Sequence, residues 1–309
     1  MKKEGFGEKV RRLREERGWT REQFCDDEQD LTVRQLTRIE LGVSKPTLTK
    51  IFFIAHRLGL SLFEVMPDYI DLPDQYLKLK YDILRTPTYN QLDLIEKRNE
   101  KLLEIYECFY DRLPDIERLA IDALQSTIDV LETHSDVFGK EIIKTHIPRI
   151  EWKQKYDVND LLIIHLFIEH AYLSTMAQNS ANRKVFLRLV SELPKQVVMM
   201  EPEDLFVLRN VIFAAIRVLG AKEISDPIPA LFQGLDQIMQ ITQDFQKYPI
   251  FSMLRWKYEL LVHQDVQRAY VYCKEAMIFA KLMGNRHLMG QLHDQWRLDT
   301  MDFTTFLSC

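Results

Sequence analysis

Apolar residues recur at helical spacing along most of the chain, and the pattern is sharpest from Thr32 to Glu40. Val33, Leu36 and Ile39 fall every three residues and mark the buried stripe of a short helix. Thr32 is a good N-cap, because its hydroxyl can accept from an orphaned backbone N–H of the first turn. An earlier helix begins between Gly7 and Leu13, with Val10 and Leu13 apolar, and ends near Gly18. Thr20 caps a second, and Gln23 three residues on completes a capping box; Phe24 and Cys25 are its apolar side. Asp26 to Asp30 is a polar connection. Beyond Gly42 and the Lys45-Pro46 break, a fourth helix carries Leu48, Ile51, Phe52, Ala55 and Leu58 on its apolar face and closes at Gly59. Ser61 opens a last short helix that stops at Pro67.

The polar front of the 32–40 helix carries the candidate chemistry. Arg34 and Arg38 are four apart and lie one above the other, with Gln35 beside them. An arginine fork can grip guanine O6 and N7, and a glutamine amide can pair with adenine N6 and N7, in a groove that admits a helix. "VRRLREERGWTREQF", "LTVRQLTRIELG" and "KPTLTKIFFIAHRLGLSLFEV" resemble, in order, the phage-repressor helix-turn-helix domain of the Cro-like or XRE class, over residues 7–66. The candidate DNA contacts are Arg34, Gln35, Arg38, Thr32, Thr37, Arg21 and Lys45. Glu40, near the helix end, is expected to pair with an arginine of the first helix. Arg11, Arg12, Arg14 and Arg17 either hold phosphates or solvate a helix face.

From Gln75 onward, helix follows helix, separated by prolines and short polar links, and few alternating segments argue for strands. Leu72-Pro73 and Thr86-Pro87-Thr88 flank the first. The rest run in pairs: Leu94–Leu113 with Pro114–Glu132, Val137–Lys155 with Asn159–Met176, Arg183–Leu193 with Pro202–Leu219, Ala230–Gln246 with Ile250–Leu261, and then Val266–Met283. Pairs with a period near forty indicate a solenoid. Tyr258, Leu261, Ala269, Tyr270, Ala276, Phe279 and Ala280 resemble the small-and-aromatic signature of a tetratricopeptide repeat. The expected fold is all-α: a helix-turn-helix domain over 1–67, a linker over 68–74, a tetratricopeptide-like solenoid over 75–284, and a capping or dimerisation segment over 285–309. In that last segment Trp296, Leu298, Met301, Phe303 and Phe306 are numerous for a tail, and 299–305 holds poor helix formers.

Charge divides unevenly. Of 41 Lys/Arg and 46 Asp/Glu, residues 1–66 hold thirteen and eleven, which leaves twenty-eight and thirty-five for the rest. An acidic body does not bind nucleic acid indiscriminately, so affinity for phosphates is confined to the N-terminal face. Four cysteines, Cys25, Cys108, Cys273 and Cys309, lie far apart without zinc or redox spacing, which fits a reduced cytoplasm. The longest apolar run, Leu161 to Ile168, is interrupted by His165 and too short to span a bilayer. Scattered histidines and the lack of a phosphate loop, nucleophile elbow or paired-acid motif leave no basis for catalysis, and no cofactor or metal is expected.

"LTVRQLTRIELG", "LGLSLFEV", "IDLPDQYLKLKYDILRTPTY", "NDLLIIHLFIEHAY", and "KYELL" followed by "KEAMIFA" run through most of the chain. On these it resembles the streptococcal Rgg-like pheromone-sensing transcription regulators, of the type that controls competence or bacteriocin genes. The resemblance implies an activator that binds a short imported hydrophobic peptide in its solenoid, dimerises, and binds double-stranded DNA at a palindromic promoter. The alternative is a peptide-independent XRE-type repressor whose solenoid binds protein partners. By resemblance Asn210, in "VLRNVIFAA", handles the peptide backbone, and Arg98, or neighbouring Lys97 or Lys101, takes its carboxylate. Phe167, His170, Phe206 and Phe213 are candidate pocket walls, or plain core. By resemblance too, Asp115, with Glu117 beside it, holds Arg34 off DNA until peptide binds; alternatively Asp115 only favours its helix N-terminus. The lock predicts that Asp115→Ala raises peptide-free DNA binding in a gel shift; unchanged binding would rule it out.

Overall fold

The computed structural model describes residues 5–60, 65, 72–89, 91–174 and 181–304. All regular elements among them are helical, and the chain divides into two compact units, Met1–Leu77 and Lys78–Cys309.

In the first unit the helices are α1 (Phe6–Glu16), α2 (Arg21–Cys25), α3 (Val33–Glu40) and α4 (Leu48–Leu58). Local chemistry sets their starts. Thr20 accepts from the Gln23 N–H, and Thr32 from the Gln35 N–H, while each glutamine Oε1 accepts from the cap backbone N–H in return. Gly59 ends α4 at φ 63°, a left-handed conformation that costs glycine nothing. The core gathers Val10, Phe24, Cys25, Leu31, Leu36, Ile39, Ile54, Ala55, Leu58 and Val65. Phe52, assigned to the apolar face by its spacing, is instead 55% exposed, and Ile54 takes the buried place. Ile51, Ile54, Ala55 and Leu58 keep the i, i+3, i+4, i+7 stripe, from which Phe52 is rotated by a quarter turn or more. The short helix expected from Ser61 to Pro67 lies outside the described residues, save for buried Val65.

The second unit continues α5 (Asp74–Arg85) with α6 (Leu92–Cys108), α7 (Asp115–Thr133), α8 (Lys140–Ile150), α9 (Val158–Leu173), α10 (Ala181–Glu192), α11 (Leu205–Ala221), α12 (Ile228–Thr242), α13 (Tyr248–Tyr258), α14 (Val266–Leu282) and α15 (Arg286–Thr304). α13 packs along α14, α14 against α15 and α11 against α12, and α9 lies between α7 and α11. α9 and α11 are apolar nearly all round and form the middle of this unit. Ala269, Cys273, Ala276 and Ala280 make a small-residue seam along α14, all buried, which lets α13 approach along its length. Leu261, expected in that seam, is 71% exposed. The reason is local: α13 widens into a π-helical turn at Glu259–His263, which rotates Leu261 out of register.

The C-terminal segment is helical despite its composition. Leu288 and Leu292 of α15 are buried against α14, Trp296 meets Trp256 edge-on at 5.7 Å, and Asp299 accepts from Trp256 Nε1 and Lys257 Nζ. Packing and those bonds outweigh weak helix propensity. The side chains of Phe303 and Phe306 lie outside the described residues.

Gly7 fixes how closely α1 and α3 approach. A Cβ built there would sit 2.0 Å from the Ile39 carbonyl oxygen, which is backbone and has no slack. Gly7→Ala is expected to destabilise the first unit by about 1–3 kcal/mol, the usual cost of overpacking. Urea unfolding followed through Trp19 fluorescence checks this; an unshifted midpoint would contradict it.

Candidate functional sites

On α3 the structure separates residues that support the helix from residues that it presents. Leu36, Ile39 and Glu40 are buried, while Arg34 and Arg38 are exposed. Among the described residues neither of these arginines is engaged in an ion pair. Glu40 carries the support. Its side chain is fully buried and accepts from Arg14 Nε at 2.7 Å and Nη2 at 3.2 Å, and from Arg21 Nε at 2.7 Å. Arg14 also donates to the Trp19 carbonyl at 2.6 Å. This is the pairing with a first-helix arginine expected from sequence, with Arg21 added. The Arg21 side chain, a DNA candidate by sequence, is 33% exposed and holds Glu40. Gln35 and Thr37 are likewise occupied. The Gln35 Oε1 accepts from the Thr32 N–H at 3.2 Å, and the Thr37 hydroxyl donates to the Val33 carbonyl at 2.8 Å. Lys45 is exposed in the turn after α3.

The second unit encloses a cavity of about 1210 Å³, larger than a drug-sized site requires. Its walls come from the segment 83–89 and from α6, α7, α9, α11, α12, α13 and the π-helical turn, with Gln295 of α15. The apolar share includes Ile83, Leu124, Ile128, Phe213, Ile250, Met253, Leu254 and Leu261. Exposed Leu261 thus has its place on the cavity wall. The charged share is Arg98, Arg217, Lys247 and Lys257 against Glu169 and Glu223, with His165.

Most of these charges are paired, with Lys247 and Glu223 outside any ion pair among the described residues. Arg98 meets Glu132 at 2.6 Å and Lys257 meets Asp299 at 2.7 Å. Glu169 is bonded to Arg217 and lies 3.5 Å from His165 Nε2. Burial raises the Glu169 carboxyl, but the His165 and Arg217 contacts outweigh it and hold the group below its ordinary value. Lys247 donates to Asn210 Oδ1 at 2.7 Å, and Asn210 Nδ2 donates to the Leu84 carbonyl at 3.0 Å.

Of the cavity residues named from sequence, Arg98, Asn210 and Phe213 line it. Phe167, His170 and Phe206 do not. Phe167 is buried. The ring of His170 bonds the Phe138 carbonyl at 2.7 Å. Phe206 packs against the Tyr81 ring at 5.8 Å with Arg85 stacked over it. Lys97 and Lys101 border a smaller pocket of about 250 Å³ beside Arg98. Asp115 is exposed at the start of α7 and pairs with Arg118 one turn on. Glu117, grouped with it by sequence, is buried: Lys80 Nζ reaches its Oε2 at 2.7 Å and Asn159 Nδ2 its Oε1 at 2.8 Å. That carboxylate is a tie inside its own unit. Lys247, Arg217, Glu169, His165 and Lys257 were not anticipated. The available signal was the shared stripe of His165, Glu169 and Tyr172 on α9, and of Asn210, Phe213 and Arg217 on α11.

A capped helix with two exposed arginines on a small helical domain, and a large cavity in a helical-repeat domain, define a two-part helix-turn-helix and tetratricopeptide protein. The ComR tetratricopeptide profile matches residues 73–296 and a helix-turn-helix profile matches residues 10–65; the chain belongs to the ComR family. No curated protein matches it. Among solved structures it is similar to ComR from Streptococcus suis, at 49% identity over 96% of this chain and 95% of that one, TM-score 0.68. ComR from S. thermophilus, solved with DNA and its signalling peptide ComS, is 28% identical over 96% and 100%, TM-score 0.67. The competence regulator ComR from S. vestibularis, solved with its cognate signalling peptide XIP, is 27% identical over 95% and 97%, TM-score 0.66.

Removing Glu40 would leave Arg14 buried without its counter-charge. Glu40→Ala is expected to destabilise the first unit by about 3–5 kcal/mol, and Glu40→Gln by less. Chemical denaturation of the variants checks this; equal stability of wild type and Glu40→Ala would show that the cluster ties nothing.

Proposed function

We propose that this protein is a peptide-controlled transcription activator of the cytoplasm: the cavity of the second unit takes a short, largely apolar peptide, and α3 reads DNA. The observation that carries the reading is the cavity itself, large, apolar over much of its wall and edged by paired charges. A peptide presents apolar side chains together with amides and a carboxylate, and this lining offers a partner for each. The relatives solved with ComS and with XIP support that ligand class.

For DNA, support comes from the exposed, uncommitted Arg34 and Arg38 on a helix whose other polar groups are engaged, and from the relative solved with DNA. A helix of eight residues reaches few base pairs, so two copies on a palindrome supply the specificity. The peptide-bound form is therefore a homodimer. No described helix is long and apolar enough to cross a membrane, and the chemistry proposed needs no membrane, metal or cofactor.

Duplex DNA selected from a random pool by the full chain, with and without short apolar peptides, tests the reading. Expected are palindromic duplexes retained only with peptide. Retention without peptide would favour a peptide-independent repressor, and no retention in either condition would sink the DNA reading. Arg34→Ala and Arg38→Ala should each weaken the selected duplex by about 1–3 kcal/mol and leave thermal unfolding unchanged. Equal affinity of wild type and both variants would move the reading face elsewhere.

A further inference from the structure

Among the four cations on the cavity wall, Lys247 is held differently. Arg98, Arg217 and Lys257 each have a carboxylate partner, in Glu132, Glu169 and Asp299. Lys247, among the described residues, has only the neutral oxygen of Asn210. The nearby acid, Asp244, is already taken, with its Oδ2 2.8 Å from Arg209 Nη1. Arg209 is itself buried, with Nε unbonded, and adds a like charge beside the lysine. Phe213 closes another side, its ring centroid 5.7 Å from Lys247 Nζ.

We propose that Lys247 and Asn210 form a carboxylate-accepting subsite, so that the peptide taken by this cavity carries an acidic group placed against Lys247. The proposal rests on the reading of the cavity as a peptide site and names what that peptide must contain. A half-buried ammonium opposed only by an amide dipole is under-compensated. A ligand carboxylate would supply the missing charge, and Asn210 retains a second N–H with which to hold the other oxygen. The C-terminus and an Asp or Glu side chain both offer this group.

The electrostatics around Lys247 agree. Burial and the Arg209 charge push Lys247 down to about 7, with Asp244 opposing weakly. A carboxylate bound there favours the charged lysine, so binding draws a proton into the site. Affinity for acidic peptides therefore falls as pH rises through about 7. The charged and titratable neighbours are Arg209 and Asp244, with Tyr89 alongside, and His165 and Glu169 line the same cavity.

The test uses matched sets of short synthetic peptides. One set contains Asp and Glu, a second has Asn and Gln in their places, and each is made with free and with amidated C-termini. They are offered to the full-length protein and to Lys247→Met, and retained peptides are then titrated singly by calorimetry. Wild type should favour one of the two carboxylate sources at least tenfold. Lys247→Met should lose that preference while it keeps the affinity for neutral counterparts. Lys247→Arg should keep the preference and lose most of the pH dependence, which separates the lysine from His165. Peptides retained with no acidic preference, or the same preference in Lys247→Met, would overturn the subsite alone. No peptide retained by wild type would overturn the peptide reading with it.

Discussion

Buried carboxylates tie this protein's helices to one another. Glu40, Glu117 and Glu169 are each almost wholly removed from water, and each is met by a cation from a different helix. Arg14 of α1 and Arg21 of α2 converge on Glu40 of α3. Lys80 of α5 and Asn159 of α9 converge on Glu117 of α7. Arg217 of α11 holds Glu169 of α9. Apolar stripes drive helices together without dictating their rotation, because greasy contacts are non-directional. A buried carboxylate tolerates only the rotation that brings its partner within bonding distance. Loss of one partner leaves an uncompensated charge, so these pairs specify the arrangement more than they add to its stability.

The same accounting gives the cavity its character. Glu169 and most of the cavity's bases are neutralised by the protein's own residues, and Glu223 stands exposed at the wall, which leaves a wall that is polar at fixed points yet nearly balanced. Such a wall favours a ligand of low net charge with apolar side chains. Lys247 breaks the balance in one place, with an amide where the others have a carboxylate. The cavity and the ties are therefore one design: Glu169 serves as wall and as fastener, and Lys247 is the cation left for something that arrives from outside.

Sequence disclosed what local chemistry decides. The caps at Thr20 and Thr32, the stripe of Leu36 and Ile39, the repeated helix pairs and the alanine seam of α14 all follow from residues a few positions apart. Phe52 falls outside the buried stripe because Phe52, Phe53 and Ile54 all suit an apolar turn, and packing selects Ile54. The cavity was harder to see. α9 is buried on nearly every side from Asp160 to Glu169, so periodicity cannot tell which face meets the hollow. Phe167 and His165 are equally plausible in sequence, and the fold turns His165 inward. Phe206 lies on the same stripe as Asn210 and Phe213, but one turn beyond the end of the cavity, where it meets Tyr81. Charged residues such as Arg217 and Lys247 read as ordinary surface until distant helices come together.

The capping chemistry of α3 also narrows what it can read. A bidentate adenine contact requires both ends of a glutamine amide, and the Gln35 oxygen is already engaged at the Thr32 N–H. Thr37 is turned back on its own helix, and Arg21 serves Glu40. What remains on the front is Arg34 and Arg38, two forks one turn apart, with Lys45 beyond the helix end. Arginine pairs best with guanine O6 and N7, so the half-site should be defined by a few G·C pairs. That is little information with which to single out a promoter, and it is the ground on which the proposed function places two copies on a palindrome. The bond that stabilises the helix start thus withdraws Gln35 from the face that carries Arg34 and Arg38.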